Sequence, residues 1–399
     1  MRLAILSTHP IQYHAQWYRA LAEHPAWDVH VYYCHRASPQ EQANAGFGVE
    51  FDWDVPLLSG YPHTFLQNVA DPPYGGRFGG MDTPQIKEII RQRAYDAVMI
   101  NGWNYKSAWQ AIRSCWESGV KVLVRSDSHL YSPRPLLTRL AKSLVYRQFI
   151  PRFDACLAVG RWSRDYFLHY GAQPENVFIV PHAVDNRFFQ SQAEALIPGR
   201  AELRKQWDLD PQAVIYAFVG KFIPKKRPMD FVRAIERATR ETESIQGLMV
   251  GDGPLRSECE QFVRTHDIPI RFVGFLNQSQ IASAYAVCDA LVLPSDGGET
   301  WGLVVNEAMA CARPCIVSDK VGCGPDLVIP ERTGAIFPLG DVEPLAKTMV
   351  RMAAASQLVA MGIESRRRIE AYSVPVAVDA LVNCLETVLA SRSLYARAN

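Results

Sequence analysis

Short apolar runs alternate with longer stretches whose apolar positions recur at helical spacing, and the alternation continues along the whole chain. In the first half, the runs at 3–7, 29–33, 97–100, 120–124, 155–159 and 177–180 read as buried strands. Helical spacing marks 15–22, 84–93 and 107–117 between them. In the second half, strands are predicted at 214–219, 247–250, 270–273, 290–293 and 314–317. Helices are predicted there at 228–241, 253–266, 278–287 and 302–312. Strands buried on both faces and joined by helices form parallel sheets, so the pattern predicts an α/β protein. Two successive sets predict two Rossmann-like domains rather than one barrel.

The periodicity is interrupted near 189–200 by Gln190-Ser191-Gln192 and Pro198-Gly199. This places the junction there, with domains at 1–190 and 191–375. After Ser373-Val374-Pro375 a last amphipathic helix is expected over 376–390, and the tail 376–399 is expected to pack back on the first domain. A Pro/Gly-rich stretch, 56–82, includes Tyr74-Gly75-Gly76 and has no period. It reads as a long surface loop of the kind that often carries function.

Composition narrows the class. The 399 residues carry 42 Lys+Arg against 41 Asp+Glu, a balance that argues against a nucleic-acid partner. With 48% hydrophobic residues the chain can bury a sizeable core. It lacks an apolar run long enough to span a membrane. The apolar start ends at Ser7-Thr8-His9, too soon for a secretory leader, so a cytoplasmic protein is expected. The cysteine count, nine, is odd, and most cysteines lie in apolar stretches, as packing residues do. Cys311, Cys315 and Cys323 lack the paired spacing of a structural zinc site.

The most informative stretch runs from Pro294 to Ala310, where a strand ends, glycines follow and a helix begins. The first turn of that helix offers free N–H groups near Gly302, and its dipole favours an anion there. Glu299 precedes the helix and Glu307 lies about a turn and a half inside it. Carboxylates accept hydrogen bonds from sugar and ribose hydroxyls, so carboxylates flanking a phosphate position suit a sugar nucleotide. The plainer alternative makes Glu299 a dipole partner and Glu307 a solvated helix residue.

Glu299 to Glu307, within E-T-W-G-L-V-V-N-E-A-M-A, resembles the donor-site motif of family 4 glycosyltransferases. These are retaining enzymes of the GT-B fold, in which two Rossmann-like domains face each other across a cleft. Val219-Gly220-Lys221 with Lys226, Gly251-Asp252-Gly253-Pro254-Leu255, Val273-Gly274-Phe275 and Thr333-Gly334 are similar to the family's further motifs, in the same order. Val180-Pro181-His182-Ala183-Val184-Asp185 resembles its junction. The resemblance implies that Glu307 meets ribose and Glu299 the donor sugar. It implies that backbone N–H groups of Trp301, Gly302 and Leu303 hold sugar and phosphate, beside Gly220, Gly251, Gly274 and Phe275. Lys221 and Lys226 would stabilise the departing diphosphate without a metal cofactor.

Departures accompany it. Lys221 stands where the family commonly has Arg, which makes a bidentate fork a point charge. Trp301 replaces Phe, and His182-Ala183 replaces Asn-Gly. The Gly-rich turn after the first strand is absent. His9-Pro10-Ile11-Gln12-Tyr13 occupies its place, and His9, Gln12 and Tyr13 are assigned to the acceptor side. Arg125-Ser126-Asp127-Ser128-His129 follows a strand end, where open sheets present ligand groups. By the resemblance Asp127 or His129 faces the reacting sugar; the alternative is a local turn network.

Asp52-Trp53-Asp54 and Asp208-Leu209-Asp210 carry a D-x-D pattern that metal-dependent glycosyltransferases of another fold use, but neither ends a strand of a nucleotide-binding unit. Both read as chance. In 135–150, Leu136, Leu137, Leu140, Ala141 and Leu144 share one helical face, with Arg139, Lys142 and Arg147 toward the other. Arg134 and Arg152 flank the segment, so 134–152 is a candidate for an anionic membrane surface, against the alternative of an ordinary domain helix with a solvated face. The function expected is retaining transfer of a hexosyl unit from a nucleoside-diphosphate sugar to a glycan or lipid-linked hydroxyl, with UDP as the default nucleotide. A sugar-nucleotide epimerase and a silent sugar-nucleotide-binding scaffold are the alternatives. The cytoplasmic or inner-membrane-surface location is part of the same expectation.

Overall fold

The computed structural model describes residues 1–73 and 76–397. Tyr74 and Gly75 of the predicted loop, and Ala398 and Asn399, lie outside the described residues. The first sheet contains β1 (Arg2–Ser7), β2 (Asp28–Tyr33), β3 (His63–Phe65), β4 (Ala97–Asn101), β5 (Lys121–Ser126), β6 (Ala155–Ala158) and β7 (Val177–Ile179). The second contains β8 (Val214–Val219), β9 (Ile245–Val250), β10 (Ile270–Gly274), β11 (Ala290–Leu293), β12 (Cys315–Ser318) and β13 (Gly334–Phe337). Their orders are β3-β2-β1-β4-β5-β6-β7 and β10-β9-β8-β11-β12-β13. The strand pairs are parallel, as in β1 beside β4 and β8 beside β11.

Each sheet is covered by helices on both faces, which explains the uniformly apolar strands. Leu291 and Leu293 of β11 enter one core and Ala290 and Val292 the other. The result is two facing Rossmann-like domains, the GT-B arrangement. In both sheets the order reverses beside the first strand, between β1 and β4 and between β8 and β11. Open parallel sheets bind ligands at such points, beyond the strand carboxyl ends.

Some predicted boundaries are corrected. The 56–82 stretch is not all loop, because β3 pairs with β2 at the sheet edge. That strand has three half-buried residues, too few to show a period. The interruption near 189–200 does not break the helical pattern where it was expected to. The helix Asn186–Leu196 starts earlier, capped by Asp185, and places Phe189 and Ala193 in the second domain's core. Ser191 and Gln192 lie on its solvent side, and Pro198-Gly199 only turns the chain into the next helix, Arg200–Gln206. The last helix, Val374–Arg397, returns to the first domain and buries Ala377, Leu381 and Leu385 beside Leu3, Ile5 and Tyr18. All nine cysteines are buried and unbridged. Among the described residues no helix is long and apolar enough to cross a membrane.

The helix predicted at 135–150 forms as Leu136–Phe149, but its orientation is not that of an ordinary domain helix. Leu136, Leu137, Leu140 and Leu144 face solvent. Lys142, read as part of a solvated basic face, instead turns inward over the rings of Tyr146, Tyr166 and Tyr170.

Candidate active site

β8, β9 and β10 end side by side on Gly220, Gly251 and Gly274, with the Gly251 N–H donating to the Gly274 carbonyl at 2.7 Å. Gly251 has φ 123°, and a Cβ there would lie 2.1 Å from the Gly220 carbonyl oxygen. Only glycine lets these strand ends approach so closely. Across the reversal point, β11 leads through Ser295 and Glu299 to Gly302, whose φ of 101° starts the helix Leu303–Ala310. In the first turn the Val305 N–H donates to the Gly302 carbonyl at 2.9 Å, while the N–H groups of Leu303 and Val304 precede any helical acceptor.

Glu307 projects from this helix and is 2% exposed. Its carboxylate accepts from the Tyr13 hydroxyl at 2.8 Å and from the Tyr285 hydroxyl at 2.6 Å. Burial pushes its pKa up to about 7, although the Tyr285 and Tyr13 hydrogen bonds and the Lys226 charge oppose the rise. It is therefore not the solvated helix residue of the plainer alternative. Glu299 behaves in the opposite way. Burial alone would raise its pKa, but Lys226, Lys225 and the Ser295 hydroxyl together hold it below the usual value. Lys226 forms a buried ion pair with it. Lys221 donates to the Ala45 carbonyl at 2.7 Å and lies 3.8 Å from the centre of the Phe47 ring. Burial, then repulsion by Lys225 and Lys226, lowers its pKa to about 8.

A cavity of about 210 Å³ unites Gly220, Lys221, Lys226, Gly251, Phe275 and Glu307 with Gln12 and Tyr13. Leu303 adjoins Val304 on its wall, and Gly274 backs Gly251. The Trp301 ring is buried away from it, with Nε1 donating to the Asn306 side chain at 2.9 Å. Asn306 in turn donates to the His182 carbonyl, so the junction strap is tied to the donor-side helix. The loop after β5 crosses the cleft. Asp127 accepts from the Thr300 hydroxyl at 2.6 Å, and the His129 Nε2 lies 3.4 Å from the Glu299 carbonyl oxygen. His129 is buried, and that burial lowers its pKa.

Two of the residues assigned to the acceptor side lie at the cavity that Glu307 lines. Tyr13 reaches across the cleft to Glu307 because the first helix, Gln12–Ala22, points its first turn at the second domain. Gln12 lines the same cavity. His9 is not brought to these residues; it bonds the Thr8 hydroxyl and sits near His35 and Glu41.

Sequence reasoning missed the segment that closes the cavity. Phe47 and Phe51 pack on Phe275 with ring centres 5.9 and 4.4 Å away, and Trp53 joins them. Asp54 of the first D-x-D triplet accepts from the Ser279 N–H at 3.1 Å, and the Asp52 carbonyl from Asn277. The aromatic spacing was the available signal. In the second triplet, Asp208 pairs with Arg271. Arg125 was also missed. It is 7% exposed and lies over the Trp17 ring, and its Nε is unpartnered among the described residues.

The sequence profile described as Glycosyltransferase Family 4 matches residues 13–188, and the profile described as Glycosyl transferases group 1 matches 213–355. The chain belongs to the group 1, family 4 glycosyltransferases. The chain is 34% identical to a GDP-mannose-dependent alpha-mannosyltransferase of Mycolicibacterium smegmatis over 198 residues, 49% of this chain and 48% of that one. It is 25% identical to a D-inositol 3-phosphate glycosyltransferase of Rhodococcus jostii over 362 residues, 82% and 76% of the two chains. The chain spans about half the length of most curated relatives it matches. Among solved structures, sucrose-phosphate synthase from Thermosynechococcus elongatus superposes with a TM-score of 0.74 at 20% identity, covering 98% of this chain and 100% of that one. The Anabaena protein HepE in complex with UDP gives 0.72 at 15% identity, covering 97% and 100%. At these identities the likeness concerns the fold.

Proposed function

We propose that this glycosyltransferase moves a hexosyl unit from a nucleoside-diphosphate sugar to a hydroxyl of a glycan or lipid-linked acceptor, with retention of anomeric configuration. The observation that carries the proposal is one arrangement at the β8/β11 reversal point. Glu307, Val304 of the helix that starts at Gly302, and Lys226 line one cavity, and Lys226 is paired with the buried Glu299 beside it. Ribose hydroxyls donate to Glu307 in place of Tyr13, and a donor-sugar hydroxyl donates to Glu299. The diphosphate lies against the Gly302–Val304 N–H groups, Lys221 and Lys226. Positive charge is then in place where negative charge develops as the leaving group departs.

No carboxylate is assigned as a nucleophile, so transfer is same-face. The acceptor oxygen bonds to the anomeric carbon as its bond to the phosphate oxygen breaks. The acceptor proton passes to that phosphate oxygen. UDP is the proposed nucleotide and GDP the alternative. The exposed leucines of Leu136–Phe149, with Arg134, Arg139 and Arg147, support docking on the anionic inner face of a membrane.

Incubation with a panel of UDP and GDP sugars tests the reading, with release of free nucleoside diphosphate as the expected result. An epimerised sugar nucleotide, or binding without turnover, would refute it. The two glutamates should also separate. Glu307→Ala should weaken binding of the free nucleotide roughly ten- to a hundredfold, the worth of charge-assisted hydrogen bonds. Glu299→Ala should leave that binding nearly unchanged and lower turnover. Equal loss of nucleotide affinity in both would reject the division of roles.

A further inference from the structure

The helix Leu136–Phe149 meets its own domain through Lys142, Tyr146 and Phe149 and presents the opposite face bare. Leu136, Leu137, Leu140 and Leu144 are 67%, 80%, 56% and 73% exposed. Single exposed leucines are ordinary, but a contiguous helical stripe of them marks a surface that is covered in use. Beside the stripe opens a cavity of about 310 Å³ lined by Arg134, Arg139 and Lys142, with Tyr166, Tyr170 and His129.

Among the described residues no carboxylate pairs with these three cations, and Asp165 on the neighbouring helix lies beside Arg164 instead. The Lys142 ammonium is held 4.8 Å from the ring centres of both Tyr146 and Tyr166. Burial and the charge of Arg134 push its pKa down to about 8. Like charges gathered without a counter-charge cost free energy that a bound anion recovers. The cavity reaches His129, whose other side meets the Glu299 carbonyl in the cleft. An anion held there therefore lies next to the reaction site, on the first-domain side.

We propose that this cavity holds the phosphate or diphosphate of an amphiphilic, membrane-borne acceptor, while the leucine stripe lies in the lipid that carries the acceptor's chain. The proposal rests on the glycosyl-transfer reading and names its acceptor class. A bare membrane surface would need the leucines and scattered cations, but not a walled cavity whose His129 wall also contacts the Glu299 carbonyl.

The test is co-sedimentation of the full chain with three kinds of vesicle: phosphatidylcholine alone, the same lipid with phosphatidylglycerol, and the same lipid with undecaprenyl diphosphate at matched surface charge. Inorganic pyrophosphate serves as competitor. The wild type should prefer the undecaprenyl diphosphate vesicles and be displaced by pyrophosphate. Arg134→Gln with Arg139→Gln, both at exposed positions, should lower that binding about 25-fold, since each surface cation contributes roughly fivefold. Leu136→Ser, Leu137→Ser and Leu144→Ser together should abolish recruitment to every vesicle. Equal binding to phosphatidylglycerol and undecaprenyl diphosphate, indifference to pyrophosphate, or unchanged binding by either variant would overturn the proposal. Calorimetric binding of UDP and GDP to the same proteins separates the two readings. Nucleotide binding and turnover on a soluble acceptor without vesicle recruitment overturns the acceptor site alone. Recruitment without binding of either nucleotide leaves the anion site standing and overturns the donor reading.

Discussion

Glu307→Gln isolates the free energy of keeping a carboxylate in the floor of the cleft. Burial is the largest influence on Glu307 and raises its pKa from 4.5 to about 7. A folded-state pKa above the unfolded one means that the native chain binds the proton more tightly. The stability this contributes is fully present below pH 4.5 and is lost as pH rises through about 7. At about 1.4 kcal/mol for each pH unit, the gap amounts to about 3 kcal/mol. Glutamine keeps the shape and cannot ionise, so the variant escapes this loss. Its stability relative to wild type should therefore rise by about 2–3 kcal/mol between pH 5 and pH 8.5. Urea unfolding followed by tryptophan fluorescence at both pH values measures it, and any constant change in the Tyr13 and Tyr285 hydrogen bonds cancels in the difference. Ribose hydroxyls favour the ionised carboxylate, so nucleotide affinity should increase from pH 6 to pH 8 in the wild type and stay flat in the variant. An offset between the two proteins that does not change with pH would refute the reasoning.

Lys226→Met strands the buried Glu299 carboxylate and should cost about 3–5 kcal/mol, most of it recovered when Glu299→Gln is added. Additive losses in urea unfolding would dissolve the coupling. Gly251→Ala drives a Cβ toward the Gly220 carbonyl at a φ of 123°, so it should destabilise by about 3 kcal/mol and weaken nucleotide binding. An unchanged melting temperature would reject the strand-end geometry. With lysines and a helix start proposed as the cationic site, transfer should persist in EDTA. Complete loss restored by Mg²⁺ or Mn²⁺ would reject that proposal.

What the sequence determined by itself is the set of residues that share a face. β8 and β11 are buried on both sides, so their apolar runs alone mark them as parallel strands. The spacing of Glu299 and Glu307 around Gly302 was legible for the same reason, since it lies within one loop and one helix. β3 escaped notice because a three-residue edge strand buries too little to need an apolar run. Pro198-Gly199 breaks a helix with the same residues that break a domain, so spacing alone does not tell the two apart. Only tertiary structure joined Lys226 to Glu299, which depends on β8 and β11 becoming neighbours across a crossover. Only domain closure brought Tyr13 to Glu307 and Phe47 to Phe275. Periodicity marked Leu136–Phe149 as two-faced, yet the rings of Tyr146, Tyr166 and Tyr170 decided that Lys142 turns inward and the leucines outward. Local spacing sets which side chains lie together on an element. Which partners that element meets depends on contacts between distant parts of the chain, and their free energy is collective.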